Sequence, residues 1–422
     1  MRTKPRMTPT KQRYEKGTLM SSKKILFVIN TMGQGGAEVA MLELMKALPK
    51  MTDCQIDLYV MMGQGELIDS VPPQVNLLNR HMDASDVLSS AGRIRLYRHT
   101  ALRLLSRFSG VRNLPYIIKN YRVMRRTGTV IPKNLLWKAV SDGTKPPREA
   151  YDMAIAYIEG ASTYYVADRV NAGVKVAFVH TDYHKAGYHR QLDHGCYDAF
   201  AAVYCVSEDV REVFLSEYPE LEARTHVFRN IIDPESILEK STAGKGFDDD
   251  FDGVRIVSVG RLVRVKAYDT AIEAAAILTK RGHRIRWYVF GEGEERAALE
   301  NEIKARSLEN TFILCGTVRN PFPYLRASQI YVQCSRYEGQ SVAVREAKVL
   351  GMPIVLTLSH GTRDQLTDGV DGIFVGADAR SVADGIERLI KDPGLRERLG
   401  REAAKIDPTH EDALQLVQMI KK

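Results

Sequence analysis

Two glutamates, Glu338 and Glu346, flank the segment Gly339-Gln340-Ser341-Val342. Ser341 has the chemistry of a helix N-cap, Gly351 that of the residue just past a helix, and Pro353 that of a stop. The sequence therefore predicts a helix over Val342–Leu350. Glu338 then sits in the preceding loop and Glu346 one turn in, both near the N-terminal end. Carboxylates there suit vicinal hydroxyls of a ribose or a sugar ring, because each oxygen accepts a hydrogen bond. The free N–H groups of Gln340, Ser341 and Val342 suit phosphate oxygens. Upstream, Gly260-Arg261 closes an apolar run and Lys266 follows five residues after Arg261. Two cations at a strand end can hold a diphosphate and neutralise a leaving group. Taken alone they would read as solvated loop charges.

A second glycine-rich turn, Gly33-Gln34-Gly35-Gly36-Ala37-Glu38, lies between an apolar run and a helical pattern. Glycines there let backbone approach an anion at a helix N-terminus. A dinucleotide fingerprint would need glycine where Glu38 stands and an acid ending the next strand, whereas Asp57 lies inside it, which argues against a nicotinamide site. His180 ends a further apolar run. By itself it reads equally well as a buried, hydrogen-bonded histidine.

The elements that must position these residues alternate. Strands are expected at Lys24–Asn30, Gln55–Val60, Met153–Tyr157, Lys175–Val179 and Val203–Val206, with a helix from Glu38 to Leu48 and another capped by Ser207. The pattern restarts at Val254–Val259, with strands at Arg286–Phe290, Phe312–Leu314, Ile330–Val332 and Ile354–Leu356. Strand–helix alternation in both halves implies an α/β chain with two Rossmann-like domains and parallel sheets. The expected division is residues 1–20 as a disordered basic tail, 21–229 as the first domain, 230–407 as the second, and 408–422 as a last helix. Thr409 and Asp412 have capping-box spacing for that helix.

In this order, Gly260-Arg261, Lys266, Gly291-Glu292-Gly293, Gly316-Thr317-Val318, Glu338 through Glu346 and Asp368-Gly-Val-Asp-Gly372 resemble the donor half of retaining glycosyltransferases of family 4, which have the GT-B fold. Gly35-Gly36-Ala37-Glu38 and His180 fit the first half of that family. The resemblance covers roughly residues 23–405 and is weakest between 65 and 150, where acceptor recognition is expected. It implies two domains facing a central cleft, with the first binding acceptor and the second the donor. It also implies a last helix that packs back on the first domain, and a sugar moved from a nucleotide diphosphate sugar to a glycan or polyprenyl- or lipid-linked acceptor in cell-surface polysaccharide biosynthesis.

Carried onto this chain, the resemblance makes Arg261, Lys266, Glu338 and His180 the catalytic group. Arg261 and Lys266 hold the leaving diphosphate, Glu338 binds hydroxyls of the moving sugar, and His180 contacts it near the reacting carbon. Gly35, Gly36, Gly260, Val318, Gln340, Ser341, Val342 and Glu346 form the donor-binding set, with Glu346 on the ribose. No cofactor and no metal are implied. Ala267 stands where the family often has glycine. Gln340-Ser341-Val342 also departs from the usual residues. An epimerase or phosphorylase of the same architecture is the nearest alternative reading.

The 422 residues carry a net charge of +8, with 44% hydrophobic and 27% charged residues. That excludes a disordered or collagen-like chain, and no apolar run reaches the ~20 residues of a membrane span. The charge is unevenly placed. Residues 91–149 hold +12 and residues 1–20 hold +5, leaving the rest at −9. Interleaved with the basic stretch are Tyr97, Leu102, Leu105, Phe108, Tyr121 and Trp137, a mixture typical of interfacial helices. The expected partner is an anionic membrane surface on the cytoplasmic side. Nucleic acid is the weaker reading, since no recognised motif accompanies the charge. The five cysteines have no metal-ligand spacing and read as thiols of a reducing compartment. His184, His189 and His194 read as polar loop residues. Asp248-Asp249-Asp250-Phe251-Asp252 mimics a metal motif but precedes a strand rather than following one.

Overall fold

The run Ile25–Ile29 is apolar without interruption and fully buried, as a parallel strand covered on both faces requires. Its Leu26 and Val28 enter one core and its Ile25, Phe27 and Ile29 another. The computed structural model, which describes residues 22–87, 89–128, 130–407 and 410–421, builds two wholly parallel sheets on strands of this kind. The tail 1–20 and Thr409 lie outside the described residues.

The first sheet comprises β1 (Lys23–Ile29), β2 (Cys54–Val60), β3 (Asn76–Leu77), β4 (Tyr151–Ala156), β5 (Ala172–Val179), β6 (Ala202–Cys205) and β7 (Thr225–Val227), in the order β3-β2-β1-β4-β5-β6-β7. The second comprises β8 (Val254–Val259), β9 (Ile285–Phe290), β10 (Phe312–Gly316), β11 (Ile330–Gln333), β12 (Ile354–Thr357) and β13 (Ile373–Val375), in the order β10-β9-β8-β11-β12-β13. These are the two Rossmann-like domains expected from the alternation. In each, strand order reverses once, at β1/β4 and at β8/β11, and a ligand crevice opens beyond the strand ends at such a point. The predicted strands are all present, with ends that coincide or differ by at most three residues. The edge strands β3, β7 and β13 were not expected, because two or three residues show no periodicity.

The last helix, His410–Lys421, buries Ala413, Leu416, Val417 and Ile420 in the core shared with β1 and β2. The Met419 sulfur accepts the Tyr204 hydroxyl at 3.4 Å, and Asp412 accepts the Arg229 backbone N–H at 2.9 Å.

The basic stretch, read from the sequence as one surface, divides in two. The helix Pro132–Gly143 is structural. Leu135, Ala139 and Val140 are buried, and Lys138 bridges Asp142 and Asp168 at 2.8 and 3.2 Å. The helices Ser90–Leu105 and Leu114–Thr127 seat Leu96, Tyr116 and Ile117 on the core, while Tyr97, Leu105 and, in the turn Ser106–Phe108 that follows the first helix, Phe108 stay about three-quarters exposed, at 73%, 74% and 76%. No described helix is long and apolar enough to cross a membrane. All five cysteines are free. Cys196, Cys205 and Cys334 are buried, but Cys315 is exposed.

Candidate active site

The polypeptide leaving β11 carries the densest side-chain network in the cleft. Glu338 pairs with the Lys266 ammonium at 2.5 Å. The same carboxylate oxygen accepts the Gln333 amide at 3.0 Å and the Ser335 hydroxyl at 2.5 Å. The amide oxygen of Gln333 in turn accepts from the hydroxyls of Ser341 and Tyr331. Ser341 caps the helix Val342–Val349, as its sequence position predicts, by accepting the Val344 N–H. The loop is thus held by side chains on both sides before any ligand arrives, which is what a preorganised site needs.

Lys266 reaches Glu338 from the end of β8. Gly260 lets its stem pass, since a Cβ there would stand 3.3 Å from Lys266 Cε. The loop Gly291–Gly293 lies backbone-to-backbone on the same turn. A side chain at Gly291 would strike the Gly260 carbonyl oxygen at 2.0 Å. Val318 lies half-buried in the loop beyond β10, beside Gly316. Ala267 adopts φ 53 and ψ 43, the left-handed region. That explains why glycine would be easier there.

Glu346 is half-buried one turn into the capped helix. Its carboxyl is pushed up to about 7, first by burial and further by Glu43 of the opposite domain, against the pull of Lys240. Gln340 spends its amide oxygen on the Asn230 N–H at 2.7 Å, so only its other groups remain for a ligand.

From the first domain, His180 ends β5 against this loop. A Cβ on Gly339 would stand 1.8 Å from the His180 carbonyl oxygen. Burial pushes the imidazole down to about 3, so the ring is neutral, and it packs at a tilt against Tyr157, ring centroids 4.9 Å apart. Among the described residues its Nε2 is buried without a partner. Glu159, which sequence reasoning missed, takes the backbone N–H groups of His180 and Thr181 at 2.7 and 2.9 Å. Its signal was an acid just past an apolar strand. Gln333 and Ser335 were missed as well, although a glutamine closing Ile330–Val332 is a polar residue in a buried run.

Gly35 and Gly36 open the helix Gly36–Met51, which points its N-terminus at the start of the Val342–Val349 helix. A Cβ on Gly36 would lie 3.5 Å from Val342 Cγ2. Arg261 is exposed and near enough to Glu38 and to Lys133 to shift both. On the flank, Asp182 faces His360 and Lys185, while Asp209 accepts the Gly361 N–H at 2.6 Å. The structure thus gathers Arg261, Lys266, Glu338, His180 and the two helix starts around one cleft.

The other polar clusters have structural work. Asp249 of the acidic run holds Arg255, Arg286 and the Tyr288 hydroxyl, and Phe251 lies under three arginines. His184 pairs with Glu217, and His189 caps a short turn of helix. No group of three metal-ligating side chains occurs among the described residues.

Residues 249–406 match the family model for Glycosyl transferases group 1. That segment holds the second sheet and the Glu338 loop. An alpha-D-kanosaminyltransferase of Streptomyces kanamyceticus is 33% identical over 154 residues, 36% of this chain and 40% of its own. The capsular polysaccharide biosynthesis glycosyltransferase CapM of Staphylococcus aureus is 28% identical over 156 residues, 36% and 41% of the two chains. The chain therefore spans about two fifths of these relatives. Solved structures extend the likeness of fold to nearly the whole chain. TarM of S. aureus in a complex containing UDP superposes with a TM-score of 0.64 at 14% identity, covering 95% of this chain and 100% of TarM. HepE of Anabaena with UDP-glucose gives 0.61 at 16%, covering 94% and 98%. The two-domain architecture beyond the group 1 segment is the GT-B fold of these enzymes.

Proposed function

We propose that the protein transfers a sugar from a nucleotide diphosphate sugar to a glycan or lipid-linked acceptor, with retention at the anomeric carbon. The observation that carries this reading is the meeting of Lys266, Glu338 and the Val342–Val349 helix start beyond β8 and β11 with His180 and Gly35-Gly36 beyond β5 and β1. The crevice presents cations and N–H groups for a diphosphate, and carboxylates for hydroxyls.

In this reading Arg261 and Lys266 stabilise the departing nucleotide diphosphate, and the N–H groups at both helix starts share its charge. A donor hydroxyl would displace Lys266 from Glu338. That exchange ties arrival of the sugar to release of the cation for the phosphate. Glu346 takes the ribose. The neutral His180, with its unpartnered Nε2, hydrogen-bonds the moving sugar. The acceptor hydroxyl attacks the face the diphosphate leaves, and the departing phosphate receives its proton. A named relative, 28% identical over 182 residues, acts on a diphospho-undecaprenol acceptor. This supports a lipid-linked acceptor here too.

The exposed Tyr97, Leu105, Phe108 and Val111, set among Arg98, Arg107 and Arg112, support docking on an anionic membrane from its cytoplasmic side. Incubation with a panel of nucleotide sugars, with and without lipid-linked acceptor, tests the function. Expected is an acceptor-dependent α- or β-product of the donor's own anomeric configuration by NMR. Inversion, or turnover of donor to an epimer without acceptor, would refute it.

A further inference from the structure

Glu38 is not among the residues assigned a role above, yet its carboxylate lies at Gly35, at the start of the Gly36–Met51 helix. Gly35 caps the Gly36–Met51 helix without a side chain to offer, so the helix N-terminus lacks a side-chain cap. The Glu38 side chain folds back to fill that place. Its Oε2 stands 2.3 Å from where a Gly35 Cβ would be, and the carboxylate meets its own backbone N–H. The exposed Arg261 of the second domain lies near enough to favour the charged carboxylate and forms no ion pair among the described residues. A side-chain anion therefore already occupies this helix N-terminus, with a guanidinium of the other domain nearby. These are the two groups the proposed function gives to the donor diphosphate.

We propose that Glu38 is an internal stand-in for the donor diphosphate, holding its N–H and guanidinium partners until the phosphates displace it. The proposal rests on the functional reading above. Its consequence is that donor affinity is set partly by how readily Glu38 yields. The surroundings favour yielding. Glu66, on the 3-10 turn Glu66–Ser70, repels Glu38 and is fixed by the Gln34 and Val87 N–H groups. Val342 opposite brings no charge. Lys133, at the start of the Pro132–Gly143 helix, faces Arg261 and, with Glu294, completes the charged groups around the position. Burial pushes the Glu38 carboxyl up to about 7, so near neutrality it passes between a charged competitor and a neutral side chain.

Inorganic pyrophosphate, which carries the shared chemistry without a base or sugar, is the probe. Its affinity is measured by calorimetry for the whole protein, for Glu38→Gln and for Glu38→Ala, between pH 6 and pH 8.5. The ratio of variant to wild-type affinity cancels the ligand's own titration. Expected is about tenfold tighter binding by Glu38→Gln at pH 8.5, with the ratio falling towards unity at pH 6, and the same trend for Glu38→Ala. Equal or weaker binding by both variants at pH 8.5 would overturn the proposal. Arg261→Ala separates the two levels of inference. Unchanged pyrophosphate binding in that variant would remove the diphosphate from this place, and with it the functional reading, whatever Glu38 does.

Discussion

In the loop Gln333–Ser341 both charged side chains are paired within the chain. Glu338 has three donors, and Arg336 reaches the Arg264 carbonyl and Asp269. In the helices Ser90–Leu105 and Leu114–Thr127 the reverse holds. Arg98, Arg122, Arg125 and Arg126 are exposed and form no ion pair among the described residues. Both regions are rich in charge, but only the first uses it to define a geometry. The second leaves much of its charge and several large apolar side chains facing solvent. A charge count cannot separate these cases, whereas hydrogen-bond partners can.

The comparison breaks hardest at Glu338. Glu338→Ala leaves the Lys266 ammonium, whose side chain is 16% exposed, without its partner and frees Gln333 and Ser335. The expected loss of sugar transfer is ~10²–10³-fold, the scale of one missing transition-state contact. Thermal unfolding should also fall by about 3 kcal/mol, because breaking a largely desolvated pair costs more than the pair is worth. Transfer at wild-type rate with normal stability would mean that the network is decoration.

Glu346 sharpens the comparison through pH. Its folded carboxyl lies at about 7, raised above the unfolded value, so the folded state binds the proton more tightly. The stability this contributes is complete below pH ~4.3 and is lost as pH rises towards 7. Glu346→Gln removes that dependence. Against wild type its unfolding temperature should gain from pH 5 to pH 8, by at most about 3 kcal/mol in free energy. A difference that is flat with pH would show that the carboxyl is not raised.

The outward region makes a prediction of the opposite kind, with binding lost and stability kept. Replacing Leu105, Phe108 and Val111 by serine should cut co-sedimentation with anionic vesicles by about tenfold or more, since each buried apolar side chain is worth roughly 1.5–3 kcal/mol. Charge reversal at Arg98, Arg107 and Arg112 should do the same at ~1 kcal/mol per residue and should disappear in high salt. Unfolding should stay within about 0.5 kcal/mol of wild type in both cases. Variants that unfold early would show that these side chains hold the fold together.

Legibility follows the same divide. The longer parallel strands were readable because each is mostly apolar over four or more residues, and the Val342–Val349 helix because Ser341, Gly351 and Pro353 bracket it. The Glu338–Lys266 pair was readable only as two separate residues of the right types, since 72 positions separate them in the chain. The fold alone brings β8 beside β11. Glu159 showed only as an acid just past an apolar strand, because its task is to hold the backbone N–H groups of His180 and Thr181 beyond β5, and no side-chain motif records that. The helix Pro132–Gly143 was misplaced among surface helices because Lys138 looks solvated until Asp142 and Asp168 are seen beside it.

The smallest effect concerns Ala267, the one departure from the glycine expected after Lys266. An L-residue at φ 53 and ψ 43 carries a Cβ against its own carbonyl, at a cost of roughly 1–2 kcal/mol, which glycine escapes. Glycine also gives the unfolded chain more freedom, which returns about 0.4–1 kcal/mol of that gain. The difference is small and positive. Ala267→Gly should raise the unfolding free energy by about 1 kcal/mol or less, read by chemical denaturation. It should leave vesicle binding untouched, because the turn follows β8 of the second sheet and Phe108 belongs to the first domain. If instead the glycine lowers transfer while raising stability, then the rigidity of this turn, rather than its shape, is what keeps Lys266 within reach of Glu338.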